Sequence, residues 1–156
     1  MKSIILFVLV STVLFAQSVP NFKLTELNQK TTSLYQLTKG NELTLVSLVT
    51  LSCPYCQKEI HDYTLLSQKY GMKKVGFVAL FLDNDEKTIR SLITENKIKY
   101  SVLRAGSDMP DYFGIRGVPF TFILDHNNNI IEKVPGYVPI DGMDDFISQY
   151  LNKKTF

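Results

Sequence analysis

The chain's two cysteines stand together in Cys53-Pro54-Tyr55-Cys56. Two thiols at this spacing can carry out disulfide exchange, one attacking a foreign disulfide and the other resolving the mixed intermediate. Ahead of the pair runs Leu43 to Leu51, apolar and partly β-branched, and behind it runs Gln57 to Tyr70, with helical periodicity. Strand, cysteine pair and helix therefore follow one another. A helix start offers unpaired N–H groups and a positive dipole end, both of which favour a thiolate. Cys53 is the expected attacker and Cys56 the expected resolver. The competing reading is a structural disulfide in an exported protein. A bridge closing so short a loop removes little unfolded-state entropy, so it serves better as a redox switch than as reinforcement.

The elements that must hold this pair can be taken in order. Val19 to Thr38 predicts a short hairpin turning at Asn28-Gln29, with Thr31 to Ser33 on its return, then a helical turn over Leu34 to Leu37. Thr44 to Leu51 is expected as a central strand. Pro54 falls in the first turn of the next helix, where a missing N–H costs least. Ile60, Tyr63, Thr64, Leu66 and Tyr70 form its packed stripe, and Gly71 ends it. Val75 to Leu82 reads as a second buried strand. Asp83-Asn84-Asp85-Glu86 suits a solvated helix start better than a cation site, since it lacks the alternating ligands of a calcium loop. Ile89, Leu92 and Ile93 carry that helix. Tyr100 to Leu103 reads as a short strand or extended segment, and Asp108 to Phe113 as a small helix closed by Gly114. Phe120 to Leu124 and Ile130 to Val134 predict an antiparallel pair around the turn His126-Asn127-Asn128-Asn129. Asp141 to Leu151 predicts a last amphipathic helix. With the N-terminal hairpin set aside, the order β-α-β-α-β-β-α points to an α/β fold: a mixed sheet with helices on both faces.

The length allows one domain with a real core. Met1-Lys2 followed by the apolar Ile4 to Ala16 reads as a secretory signal, with Ala16 and Ser18 as small residues before a cut ahead of Val19. A cut after Ala16 is the second site, and an uncleaved N-terminal anchor the alternative. The division is thus 1–18 leader and 19–156 domain. The apolar stretch is short for a membrane span. The net charge is +2, or +1 once Lys2 leaves with the leader, so nothing suggests a nucleic-acid partner. Export fits a protein whose chemistry is thiol–disulfide exchange outside the reducing cytosol.

This order, with Cys53-Pro54-Tyr55-Cys56 and Gly117-Val118-Pro119, resembles the thioredoxin fold. The N-terminal extension and Phe120-Thr121-Phe122-Ile123-Leu124-Asp125 are similar to its exported TlpA/ResA branch, and the resemblance covers Val19 to Leu151. It implies a thioredoxin fold with an N-terminal β-hairpin. It also implies a periplasmic disulfide reductase, often serving cytochrome c maturation or another thiol target. Such a protein needs no cofactor and no metal. Its partners would be a substrate protein's disulfide or dithiol and an exported or membrane thiol donor, and the chain is expected to act as a monomer. The Pro-Tyr dipeptide matches the glutaredoxin motif, but the surrounding chain does not.

The resemblance also assigns residues. It implies a cis bond before Pro119, whose loop lies against the cysteines and presents the Val118 backbone to an extended substrate. Without it, an ordinary trans proline at a strand start would be the simpler reading. Pro54 and Tyr55 would share in substrate contact. Glu59 matches the branch's active-site glutamate, one turn beyond Cys56, where a carboxylate could exchange a proton with it. A surface glutamate near a helix start is the bland alternative. Two departures stand out. Ser47 occupies the strand position where classical thioredoxins carry a buried aspartate, so that proton route is absent. Ser52 replaces the usual tryptophan before the first cysteine, and Tyr55 could partly replace it as a flat surface. His61 reads as an exposed helix residue and His126 as a turn residue.

Other classes fit less well. A DsbA-like oxidase or isomerase would need an inserted helical domain for which there is no room. Thr50-Leu51-Ser52-Cys53 gives part of a peroxiredoxin signature, but Val46 stands where its proline should be. A metal chaperone could use the cysteines with His61, yet copper-delivery relatives space their cysteines more widely. A noncatalytic binding module would not need the cysteines and the proline together. N-terminal sequencing of the mature protein from its native envelope should give Val19, or Gln17 for the second site; retention of Met1 would exclude cleavage.

Overall fold

The computed structural model describes residues 18–71 and 74–153. The expected leader falls almost wholly outside that range. The described elements are β1 Lys23–Glu26, β2 Thr31–Ser33, α1 Leu34–Thr38, β3 Leu43–Val49, α2 Pro54–Tyr70, β4 Val75–Phe81, α3 Glu86–Glu95, β5 Ser101–Arg104, α4 Asp108–Phe113, β6 Phe120–Asp125, β7 Ile130–Pro135 and α5 Ile140–Lys153. The strands form one sheet in the order β2-β1-β5-β4-β3-β6-β7.

Every residue of β3 and β4 is buried, because both sheet faces are covered. Side chains alternate between those faces. Leu43, Leu45 and Val49, with Val75, Phe77, Ala79 and Phe81, join Ile60, Tyr63 and Leu66 of α2, Ile89 of α3 and Met143, Ile147 and Leu151 of α5. The opposite face gathers Val46, Leu48, Val78, Leu80, Phe122 and Leu124 against Leu34 of α1 and Met109 of α4. Phe113 stacks on Phe122, ring centroids 4.6 Å apart.

The strand directions set the site's position. β3 and β4 are parallel, and α2 makes the crossover between them. β6 is antiparallel to β3, with Leu48 opposite Phe120. The loop leaving β3 and the loop entering β6 therefore lie at the same end of the sheet. The first carries the cysteines and the second Pro119.

The structure differs from the sequence expectation in three respects. Beyond the hairpin and α1 the order is β-α-β-α-β-α-β-β-α rather than β-α-β-α-β-β-α, because Ser101–Arg104 pairs with β4 as a full strand and α4 follows it. β3 stops at Val49 rather than Leu51, because the chain turns there: Cys53 N–H donates to the Thr50 carbonyl at 3.4 Å, and Leu51 N–H to Asp83 Oδ2 at 2.8 Å. The hairpin cannot be set aside either. β1 pairs antiparallel with β5, and β5 runs parallel to β4, so the hairpin extends the main sheet. Phe22 and Leu24 sit within the second core. Burying each contributes roughly 1.5–3 kcal/mol, enough to fix the hairpin in place.

This packing gives a graded expectation. Phe122→Ala should lower the unfolding free energy by about 3–5 kcal/mol and Ile123→Val by about 1 kcal/mol. Leu65→Ala, on the exposed face of α2, should change it by less than about 0.5 kcal/mol. Urea unfolding monitored by circular dichroism measures all three.

Candidate active site

A helix leaves its first N–H groups unpaired, and α2 meets one of them with sulfur. Cys53 is the N-cap, and its Sγ accepts from the Cys56 backbone N–H at 3.2 Å. Pro54 follows at the first helical position, where no N–H is wanted. Gln57 Nε2 donates to the Leu51 carbonyl at 3.0 Å, and Asp83 accepts from the N–H of the same residue, so the entering loop is held on both sides. Both cysteines are free thiols; Cys53 is half-buried and Cys56 fully buried. Cys53 is thus the more accessible of the two cysteines.

The Val118–Pro119 bond is cis. Its loop lies directly against the first cysteine: Cys53 Sγ–H donates to the Val118 carbonyl at 3.6 Å. The Gly136 N–H donates to the Pro119 carbonyl at 2.8 Å and ties this loop to the end of β7. Ile115, Arg116, Val118, Pro119, Phe120 and Gly136 line a shallow groove beside it.

Cys56 and Glu59 make the buried side of the site. Burial, and then the neighbouring Cys53 sulfur, push the Cys56 thiol up to about 12. Glu59 is only 2% exposed, so it is no surface glutamate. Its Oε1 accepts from Ser47 Oγ and, at 3.2 Å, from Thr121 Oγ1. Burial raises its carboxyl from 4.5 to about 7, although the two hydroxyls oppose that rise. Ser47 thus does not leave the strand position idle. It reaches a carboxylate supplied by the helix instead of the strand.

The outer rim is aromatic. Tyr55 is 57% exposed and stacks on Tyr137, centroids 6.0 Å apart, with Lys58 Nζ 5.4 Å from its ring. Tyr137 O–H donates to Asp62 Oδ2 at 2.8 Å, which anchors the shelf to α2. The flat surface expected of Tyr55 therefore has a second ring behind it. Ser52 and Pro54 are exposed beside this rim, and His61 is exposed one turn further along. His126 is exposed in the β6–β7 turn, away from the cysteines. Among the described residues, no cluster of three or more His, Cys, Asp and Glu is placed to hold a metal ion.

Thr121, Tyr63, Tyr137 and Asp62 escaped the sequence reading as site residues. Tyr63 had a signal, since it stands four residues after Glu59 on one helix face. Thr121 needed the β3–β6 register, and Tyr137 needed the course of a distant loop.

Glu59 makes stability depend on pH in a definite direction. Below about 4.5 the carboxyl is protonated in the folded and the unfolded chain alike. Between about 4.5 and about 7 the folded chain keeps a proton that the unfolded chain has lost, so stability falls as pH rises through this window. The loss amounts to on the order of 3 kcal/mol. Urea unfolding of the reduced protein at about pH 5 and about pH 8 should show this decline, and Glu59→Gln should lack it. Equal pH dependence in the two proteins would mean that Glu59 titrates normally.

Comparison with known proteins agrees with this geometry. The family model described as Redoxin matches residues 16–147. A thiol-disulfide oxidoreductase ResA of Bacillus cereus is 28% identical over 121 residues, covering 77% of this chain and 69% of that protein. ResA of Bacillus thuringiensis subsp. konkukian is 26% identical over 140 residues, covering 89% and 78%. The solution structure of a thiol:disulfide interchange protein from Bacteroides sp. matches with a TM-score of 0.74 at 18% identity, over 88% of this chain and 90% of that one. At that identity the likeness concerns the fold alone. Cysteine pair, fold and relatives converge: the chain belongs to the redoxin family and is similar to the ResA thiol-disulfide oxidoreductases within it.

Proposed function

We propose that this protein is a dithiol reductant of protein disulfides, working outside the cytosol. The observation that carries the direction is the environment of Cys56: buried, its thiol pushed up to about 12, one turn before a buried carboxyl. Strong oxidants of this fold draw their power from a stabilised reduced form. Here burial disfavours a Cys56 thiolate, so this cysteine lends the reduced form no such stabilisation.

The reaction has two steps. Cys53 Sγ attacks one sulfur of the client disulfide, forming a mixed disulfide and releasing the other client sulfur as a thiolate. Cys56 then loses its proton to the Glu59 carboxylate, and its sulfur attacks Cys53 Sγ. The second client sulfur leaves, and the Cys53–Cys56 disulfide remains. Two electrons pass from the protein to the client, with two protons balancing the client thiols. The groove beside Val118 and Pro119 receives the client backbone, and Pro54 and Tyr55 border its entrance.

The chain works as a monomer, and an exported or membrane-bound dithiol carrier returns it to the reduced state. The basic start and apolar leader support this location. Apocytochrome c is the leading client, by family resemblance.

Cys56→Ser should trap a client through Cys53, whereas Cys53→Ser should trap little. The reduction potential, measured against glutathione, should lie nearer about −270 mV than about −120 mV. A value near the latter, with rapid oxidation of dithiols, would reverse the direction. Equal trapping by both variants would reject the roles of the two cysteines.

A further inference from the structure

Ser47 and Thr121 are direct partners across the β3–β6 ladder. Cross-strand partners point their side chains to the same face. This is the face beneath α2, where Leu45 and Ile123 form the adjacent pair. In that apolar layer both hydroxyls are buried, Ser47 1% and Thr121 0% exposed, and both donate to one carboxylate oxygen, Oε1 of Glu59. Thr121 Oγ1 also lies 3.0 Å from the phenol oxygen of Tyr63. A threonine hydroxyl has one proton. With that proton given to Glu59, Thr121 must accept from Tyr63. The chain therefore has a direction, from Tyr63 O–H to Thr121 O–H to Glu59 Oε1. Burial holds the Tyr63 phenol well above its usual range, which keeps it a donor.

We propose that Ser47, Thr121 and Tyr63 are positioning residues that hold the Glu59 carboxylate ready to take the Cys56 proton, Ser47 and Thr121 directly and Tyr63 through Thr121. This rests on the reading of Glu59 as the proton acceptor. Two hydroxyls on one oxygen leave Oε2 as the atom for proton transfer. They also stabilise the charged carboxylate in a layer that would otherwise keep it neutral. The device replaces a strand-borne acid with a helix-borne one whose charge is stabilised from the strands.

Other titratable groups act on Glu59 from the elements around it. Cys56, Asp62 and Tyr63 lie on α2, Tyr100 lies just before β5, and Tyr137 lies between β7 and α5. Tyr100 is engaged elsewhere, donating to the Ile60 carbonyl at 3.1 Å, and Tyr137 donates to Asp62. The donors to Glu59 itself come from β3 and β6.

The test uses the reduced full-length protein and two readouts. The first is the titration midpoint of the Glu59 side-chain carboxyl carbon by NMR, its resonance identified with Glu59→Gln. The second is the pH profile of the resolving step, read as release of the aryl thiolate from a Cys53–thionitrobenzoate mixed disulfide. Thr121→Val keeps the shape and removes the hydroxyl; Ser47→Ala removes the other donor. Each should raise the midpoint by about one pH unit and move the rate profile up by the same amount. Thr121→Ser should restore both. Tyr63→Phe should produce a smaller shift in the same sense, and none in the Thr121→Val background. A purely structural role would lower rates or stability while leaving the midpoint in place. An unmoved midpoint in both Thr121→Val and Ser47→Ala would overturn the proposal. A moved midpoint with a resolving step whose pH profile is untouched by Glu59→Gln would instead remove Glu59 from the reaction while leaving its hydroxyl partners as assigned. Where Thr121→Val fails to fold, Ser47→Ala alone decides.

Discussion

One hydrogen bond organises the functional end of this molecule, the Cys56 N–H to Cys53 Sγ. Every helix must satisfy its first amides, and a serine or an aspartate is the usual means. Here the group that accepts is also the group that reacts. The sulfur thus acquires its position, its donor and its place at the positive end of a 17-residue helix from the same local requirement. Breaking this arrangement would disturb fold and chemistry together, which ties the start of α2 tightly to the end of β3.

The sheet supplies the rest through its mixed directions. A parallel neighbour on one side of β3 requires a crossover helix, and that helix brings Cys56, Glu59 and Tyr63 over the sheet. An antiparallel neighbour on the other side brings a strand entrance to the same end, and with it Val118 and Pro119. The two faces differ in consequence. The α1 and α4 side is mainly apolar, with the buried hydroxyls of Thr38 and Thr44 among its polar groups, whereas the α2 side contains a polar pocket of Ser47, Glu59, Tyr63 and Thr121 within apolar packing. Such a pocket is tolerable because its partners are satisfied within it.

What was legible in the sequence was local. Cys53-Pro54-Tyr55-Cys56, the apolar run before it and the stripe of Ile60, Tyr63 and Leu66 after it define strand, cap and helix within a few turns of chain. Gly71 and Gly114 mark helix ends through backbone angles that glycine adopts readily, φ +70 and +63. Pro119 became interpretable only through family resemblance, since a Val-Pro before a strand does not itself reveal a bond's isomer. The sequence places Glu59 on the helix, but its burial depends on what the sheet presents beneath it. Thr121 reads in sequence as an ordinary β-branched strand residue; only its register opposite Ser47 makes it a partner of Glu59. The sequence does not join the hairpin to the main sheet, because its apolar residues are few and the edge that they cover belongs to β5, far along the chain.

That hairpin bears on how the protein meets other chains. The sheet ends on one side in β2, three residues long, and on the other in β7, which carries Glu132, Lys133 and Pro135 and is irregularly paired with β6. Short edges, charged edges and interrupted ladders all discourage an incoming strand. In the proposed function, partly folded, cysteine-bearing clients would present many extended segments. The rims of the sheet offer such segments little to pair with, which would leave the groove beside Val118 and Pro119, within reach of Cys53, as the place to receive them.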